Sequence, residues 1–321
     1  MKKVMMAVAV CLTMTACEKA IVPESVNESE WGGVDSNIPT KKFTFTVKGD
    51  FGSPTFKDGD DGGGGVAMQS QRNGRNEQSG GTRRATTYLN DESNQMTDLW
   101  VFDFVGDECV QSIHQTTSDE TWGQPQMSLT LGTHHVYFVA SRGLSPVLDA
   151  TAKTLTWASV RDTYWKDYEV TVVNTSNGNR AVTLDRMVAK LKVTINDEIP
   201  IGAATLTCTP ATWYYGLNYR TGEPCETVNS QAMSVSIPSS YIGATGLAAS
   251  FFTFSESTEW TTDVTVAIKD GNGATLGSAV IDDAPMLRNR SAEYSGNLFS
   301  SGSLLTVSIN DSWLTPYIGA W

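Results

Sequence analysis

Histidines are the first side chains to consider for catalysis or metal binding, and this chain has few of them. It contains three, His114, His134 and His135. The last two are adjacent in a predicted strand, so their side chains point to opposite faces of a sheet. They cannot both bind one metal ion, and we predict no metal site.

Other chemical motifs are equally weak. Asp58, Asp60 and Asp61 precede a glycine run, but their spacing does not fit an EF-hand loop, and we interpret them as a solvated acidic turn. We find no nucleophile elbow, Walker loop or dinucleotide-binding pattern. We therefore predict that the protein is not an enzyme and has no cofactor. Its net charge of -12 gives it no electrostatic attraction for nucleic acid.

The first 17 residues have the pattern of an export signal. Lys2 and Lys3 precede a short apolar run over residues 4–14, and Ala16 precedes Cys17. This arrangement resembles a bacterial lipobox, in which Cys17 becomes the acylated first residue. Its acyl chains would hold the protein on a lipid bilayer, since each buried CH₂ contributes about 0.8 kcal/mol. The alternative is a plain signal peptide with an incidental cysteine.

These expectations divide the chain into four parts. Residues 1–16 are the signal peptide, and residues 17–39 form a polar, acidic, flexible tether. Residues 40–183 and 184–321 are predicted to be two tandem β-sandwich domains. Short strands with Gly-rich turns at regular spacing favour this all-β class.

The first predicted strand has one apolar face. Phe43, Phe45 and Val47 alternate with polar residues over positions 42–48. Residues 57–84 then lose all periodicity and are rich in glycine, which predicts a long disordered loop. Strands resume at residue 99, and residues 158–168 are interpreted as a short helix. The segment over residues 184–195, which alternates strictly from Met187 to Ile195, opens the second domain.

Three cysteines remain once Cys11 leaves with the signal and Cys17 is acylated. They are Cys109, Cys208 and Cys225, so at most one disulfide can form among them. The pair Cys208–Cys225 is the natural candidate. The alternative is that all three are small buried hydrophobic residues.

Aromatic side chains allow two interpretations. Trp122, Trp213, Tyr214 and Tyr215 could form a platform for a sugar or a protein partner. Packing inside a β-sandwich is the simpler explanation for all four.

In its overall organisation the chain resembles the fimbrillins, the subunits of lipoprotein-derived type V pili, together with their anchor and tip relatives. The resemblance rests on the lipobox at Cys17, on a Phe-rich strand before an Arg-ending loop, and on three later segments. These are residues 96–103 (MTDLWVFD), 184–193 (LDRMVAKLKV) and 289–298 (NRSAEYSGNL). It implies two transthyretin-like β-sandwich domains.

The resemblance also implies a mechanism and a location at the outer membrane and cell surface. An Arg-specific protease would cut after Arg84, or after Arg83. The strand bearing Phe43, Phe45 and Val47 would then leave, and another pilus subunit would fill the groove with its own C-terminal strand. Two donor segments stay open: Leu305, Val307 and Ile309, or the tail residues Trp313, Leu314, Tyr317, Ile318 and Trp321.

Two other functions remain in competition with a polymerising subunit. If the first strand is never released, the protein would be a lipid-anchored subunit at the base of the pilus. If the aromatic platform exists, the protein would be a surface glycan-binding lipoprotein.

Overall fold

The computed structural model describes residues 39–49, 96–142, 146–256, 258–299 and 305–310. The first strands are β1 (Thr40–Gly49), β2 (Asp98–Val105), β3 (Glu108–Thr116), β4 (Gln126–Thr130), β5 (Gly132–Ser141), β6 (Val147–Asp149), β7 (Thr154–Thr156), β8 (Thr163–Val172) and β9 (Asn179–Arg186). Those that follow are β10 (Val188–Ile195), β11 (Ala203–Pro210), β12 (Thr212–Asn218), β13 (Pro224–Asn229), β14 (Met233–Ser236), β15 (Leu247–Phe254), β16 (Trp260–Asp270), β17 (Thr275–Met286), β18 (Ser291–Gly296) and β19 (Leu305–Asn310). Within the described ranges, one 3-10 turn, Ser239–Tyr241, interrupts this series. The predicted all-β class is confirmed.

The first sheet has seven strands, in the order β3-β2-β5-β8-β9-β1-β4. Three strand spacings separate β1 from β5, which is about 14 Å in a flat sheet. The ring of Phe45 on β1 nevertheless lies 5.2 Å from the ring of Phe138 on β5. The sheet therefore curls over on itself, and its two halves enclose a core as the layers of a sandwich do.

Two four-stranded sheets make up most of the second half of the chain. Their orders are β15-β10-β18-β19 and β14-β11-β16-β17. Alternate residues of β10 and β16, among them Leu191, Val193, Val264 and Val266, are buried in one shared core. The alternation predicted for residues 188–195 produces this buried face.

A fourth sheet, β13-β12-β7-β6, joins strands from both sides of the predicted domain boundary. Tyr219, just after β12, stacks on Phe102 of β2 with ring centroids 3.9 Å apart. The shared sheet and the ring contact connect the two halves of the chain. The domain boundary at residues 183/184 therefore stays a prediction.

The chain crosses from the first sheet to the second between Arg186 and Val188. Arg186 is buried there, and its guanidinium donates to both carboxylate oxygens of Asp162, at 2.8 and 3.0 Å. It also donates to the Tyr164 hydroxyl and to Asn289 Oδ1, which lies in the turn before β18. One side chain thus ties strands of both sheets at the crossover.

The short helix predicted over residues 158–168 is wrong. Residues 163–172 form β8, which pairs with β5 at ten successive positions from Thr163 to Val172. β-branched and aromatic residues, including Thr163, Tyr164 and Trp165, favour a strand when a neighbouring strand is available. The local pattern alone did not show that partner.

Candidate strand-release site

β1 has a fully buried apolar face, as its sequence pattern predicts. Phe43 and Phe45 are 0% exposed and Val47 is 3% exposed, whereas Thr44 between them is half-buried and Thr46 is exposed. The Phe45 ring also lies 5.9 Å from the Tyr168 ring, in an edge-to-face arrangement. Burial of each such side chain contributes about 1.5–3 kcal/mol. This face therefore binds β1 to the core.

The backbone of β1 lies between two strands. Residues 40–44 pair antiparallel with β4, and residues 44–49 pair parallel with β9. The amides of Phe45 and Val47 also donate to the carbonyl oxygens of Pro125 and Gly123, each at 3.0 Å. Removal of β1 would leave a slot with hydrogen-bonding groups on both sides.

A glycine in the turn before β9 contacts β1 at very short range. A Cβ at Gly178 would lie 2.1 Å from the carbonyl oxygen of Lys42. Its own carbonyl oxygen accepts a hydrogen bond from the Thr44 amide. Only glycine fits this approach, because any side chain would collide with the β1 backbone. The sequence Asn-Gly-Asn over residues 177–179 is typical of a turn, but it does not show which strand the turn contacts.

Arg180, at the start of β9, covers one end of the buried face. Its guanidinium carbon lies 5.3 Å from the centre of the Phe43 ring. The same guanidinium donates to the side-chain oxygen of Asn177. This cation–π contact closes the core beside β1.

His134 and Asp103 form a buried hydrogen-bonded pair next to β4. Each side chain is 1% exposed, and His134 Nδ1 lies 2.8 Å from Asp103 Oδ1. His134 Nε2 lies 3.0 Å from the carbonyl oxygen of Thr130 and 3.2 Å from its hydroxyl. Burial lowers the pKa of His134, but the hydrogen bond with Asp103, the charge of Asp103 and the Thr130 carbonyl raise it, and the net direction is upward.

Sequence analysis missed this pair, although a signal was present. Asp103 is buried among the apolar residues of β2, and such a carboxylate needs a buried partner. The other histidines have carboxylate partners as well: His114 lies 3.1 Å from Asp98, and His135 lies 3.1 Å from Asp167. Among the described residues, no three His, Cys, Asp or Glu side chains converge as a metal site.

The proposed donor residues Leu305, Val307 and Ile309 lie in β19. This strand pairs antiparallel with β18 at the edge of its sheet, with Leu305 opposite Gly296 and Ile309 opposite Ala292. It is therefore the last strand of its own sheet in this structure. The tail positions Trp313, Leu314, Tyr317, Ile318 and Trp321 lie outside the described residues, as do Cys17, Arg83 and Arg84.

The Cys208–Cys225 disulfide is not formed, and Cys109, Cys208 and Cys225 are all free thiols. Cys208 lies on β11 and Cys225 on β13, which belong to different sheets. Burial raises the pKa of Cys225 to about 11, and burial together with the charge of Asp103 raises that of Cys109 to about 11. The spacing of the two cysteines in the sequence could not show that their strands belong to different sheets.

The aromatic platform is not assembled at the surface. Trp122, Trp213 and Tyr215 are buried, and Tyr214 is half-buried against Trp260 in an edge-to-face contact. The indole nitrogen of Trp213 donates to the Phe252 carbonyl oxygen at 2.8 Å. These side chains pack inside the fold, as the simpler interpretation held.

In the described part of the chain, no helix has the length and apolar character needed to cross a membrane.

Comparison with known proteins gives one family match. The model described as Family of unknown function (DUF6562) matches residues 126–320. No curated protein matches the chain.

Several solved structures are similar at low identity. A fimbrial assembly protein from Parabacteroides distasonis is 13% identical, with a TM-score of 0.43 over 85% of this chain and 99% of that one. The tip fimbrial protein Mfa3 from Porphyromonas gingivalis, with a C-terminal truncation, is 16% identical, with a TM-score of 0.37 over 67% and 93%. A protein from Bacteroides thetaiotaomicron named for a proposed role in polysaccharide binding (DUF1812) is 10% identical, with a TM-score of 0.47 over 84% and 95%. At TM-scores below 0.5, these likenesses do not define a function.

Proposed function

This chain belongs to DUF6562, a family of unknown function, and we propose that it is a structural subunit of a cell-surface fimbria that assembles by strand exchange. One observation carries the proposal. β1 is an inner strand of its sheet, yet it is followed at once by the long segment 50–95, so a single cut there would free it from the rest of the fold. An incoming strand could then replace it, as in β-augmentation.

The free energy lost when β1 leaves would be recovered by a strand with a similar apolar face. Loss of Phe43, Phe45 and Val47 would open three apolar pockets, each worth about 1.5–3 kcal/mol when filled. It would also expose the backbone groups of β4 and β9 that now pair with β1. A donor with three alternating apolar residues would repair both defects. An empty groove would be unstable in water, which drives polymerisation.

Export and processing are part of the proposal. Cys17 would carry the acyl chains that tether the precursor to the outer membrane, and an Arg-specific protease would cut after Arg84 or Arg83. If the cut does not occur, β1 stays in place and the same molecule would serve as a lipid-anchored subunit at the pilus base.

Two observations point to different donors: the alternation of Leu305, Val307 and Ile309 matches the apolar face of β1, whereas the pairing of β19 with β18 favours the tail. Donation of β19 would strip β18 of its partner from Ser291 to Gly296. Donation of the tail, with Trp313, Leu314, Tyr317, Ile318 and Trp321, would leave that pairing intact. Pro316 interrupts the tail and lacks a backbone N–H, so it would leave one hydrogen bond of the two-sided slot unmade.

Limited digestion of the purified precursor with an Arg-specific protease tests the proposal. Intact mass and N-terminal sequencing should show a cut after Arg84 or Arg83, loss of the β1 fragment, and growth of oligomers. The variant Arg72→Ala/Arg75→Ala/Arg83→Ala/Arg84→Ala, which has no Arg left in residues 50–95, should stay monomeric under the same digestion. A clean cut with β1 retained and no oligomers would favour the anchor subunit and overturn polymerisation by strand release.

Membrane attachment is tested separately. Cells expressing Cys17→Ala should release the protein from the membrane fraction, whereas Cys109→Ala should leave its location unchanged. Membrane retention of Cys17→Ala would contradict the lipoprotein assignment.

A further inference from the structure

β4 depends on the strand that the proposed mechanism removes. In the described sheets, β4 pairs only with β1 and forms the outer edge beyond it. When β1 leaves, β4 loses its ladder of backbone hydrogen bonds. An acceptor groove needs both walls in place, so other contacts must hold β4.

Two polar contacts join β4 to the opposite layer of the sandwich. The Ser128 amide donates to Gln111 Oε1 on β3 at 3.3 Å. At the end of the strand, the carbonyl oxygen of Thr130 lies 3.0 Å from His134 Nε2. The buried side chains Met127 and Leu129 add apolar contact with the core. None of these contacts involves the backbone of β1.

The contact with His134 depends on the charge of its ring. A protonated imidazole has two N–H donors, one for the Asp103 carboxylate and one for the Thr130 carbonyl. A neutral ring that donates to Asp103 has no proton left for that carbonyl. It can then only accept a hydrogen bond from the Thr130 hydroxyl, 3.2 Å away. Protonation therefore strengthens the tie to the β4 backbone.

The surroundings of His134 contain few other charges. On β2 it faces Asp103, and on β8 it lies opposite the buried Val170. On β3, Cys109 lies close enough for the Asp103 charge to raise its pKa. On β1, Lys41 occupies the same face as Phe43 and pairs with Leu129 of β4. His135, Asp167 and Glu169 form a separate cluster on the other face of the sheet.

We infer that His134, held by Asp103, is a positioning residue for strand exchange: its protonated ring retains β4 as a wall of the groove after β1 has left. The inference rests on the proposed function. It makes capture of a new strand pH-dependent. The hydrogen bond that retains β4 is strongest where the imidazole of His134 is charged, and it weakens as the pH rises.

The test uses the full chain after Arg cleavage and a fluorescent synthetic peptide of residues 40–49 as the probe. Its α-amino group carries the fluorescent label and its only titrating side chains are Lys, so the peptide does not change charge between pH 5.5 and 8.5. The test variant is Asp103→Asn/His134→Gln, which avoids an unpartnered buried charge. The matched control is Asp167→Asn/His135→Gln, the neighbouring pair, in which both side chains are 36% exposed.

We expect the unmodified protein and the control to bind the peptide more tightly at pH 5.5 than at pH 8.5. At pH 5.5 the test variant should bind about tenfold more weakly, and its affinity should not change with pH, because a charge-assisted hydrogen bond is lost. Equal affinity and an equal pH profile in test variant and control would overturn the inference. If cleavage never frees β1 from any variant, the proposed function itself fails, and the role of His134 in exchange falls with it.

Discussion

Gly178 and Lys42 approach each other so closely that a single methyl group would not fit between them. A Cβ at Gly178 would lie 2.1 Å from the Lys42 carbonyl oxygen and 3.5 Å from Phe43 Cα. The turn before β9 therefore holds the β1 backbone by direct contact. This relationship gives a way to loosen β1 without changing β1 itself.

Gly178→Ala should displace the middle of β1. Such overpacking typically costs about 1–3 kcal/mol, and here the displaced neighbour is backbone. Denaturant unfolding should show this loss, and loss of the β1 fragment after Arg cleavage should be faster. Gly271→Ala is the control, because nothing lies within 4 Å of a Cβ at that position. Equal stability of Gly178→Ala and Gly271→Ala would show that Gly178 does not approach β1 as closely as described.

Phe45→Ala should weaken the attachment of β1 to the core. Phe45 is fully buried and touches the rings of Phe138 and Tyr168, so its truncation should cost about 3–5 kcal/mol in the free energy of unfolding. Thr46→Ala, at the next and exposed position, should change stability by less than about 0.5 kcal/mol. Urea titration of both variants measures the difference. A similar small effect from both would show that β1 is not packed as described.

The buried His134–Asp103 pair should make stability depend on pH in a defined direction. The folded pKa of His134 is raised, because the hydrogen bond and charge of Asp103 and the Thr130 carbonyl outweigh the effect of burial. Folding therefore favours the protonated ring, and the stabilisation is complete below the unfolded value of about 6.5. It declines as the pH rises through the folded pKa.

Unfolding titrations of the uncleaved chain at pH 5.5, 7 and 8.5 measure this effect. The free energy of unfolding of the unmodified protein, minus that of Asp103→Asn/His134→Gln, should fall as the pH increases. The difference in the free energy of unfolding between the unmodified protein and Asp167→Asn/His135→Gln should vary less with pH. A difference that does not change with pH would show that His134 does not titrate in the folded protein.

Arg186 should be the most sensitive charged residue of the crossover between sheets. Arg186→Met leaves the buried Asp162 carboxylate without its cation, which should cost about 3–5 kcal/mol. The control is Lys166→Met, whose ion pair with Asp185 at 2.9 Å is largely exposed and is worth less than about 1 kcal/mol. Addition of Asp162→Asn to Arg186→Met should restore part of the loss. No recovery in that double variant would contradict the charge argument.

Thiol titration should find three reactive cysteines in unfolded protein that begins at residue 18. In the folded state Cys208 should be almost inert, because it is fully buried and burial raises its pKa. Cys109 and Cys225 should react slowly at pH 8, because each has a pKa of about 11 and so little thiolate. A single reactive thiol after unfolding without reductant would show that a disulfide forms after all.

The sequence by itself determined the features that repeat along a single strand. The alternation of Phe43, Phe45 and Val47 correctly predicted one buried face, because residues two apart in any strand share a side. The alternation over residues 188–195 did the same for β10. The all-β class followed from many such segments, and none of them depended on knowing a partner.

Only the tertiary structure decided which segments meet. β1 pairs with β9 and β4, and Asp103 meets His134 across 31 positions of sequence, because the strand order of the sheet makes β2 and β5 neighbours. The same long-range pairing made residues 163–172 a strand and placed Cys208 and Cys225 in different sheets as free thiols. The physical reason is that strand partners are chosen by hydrogen bonds and packing between distant segments, whereas periodicity reports only which side of a strand is apolar.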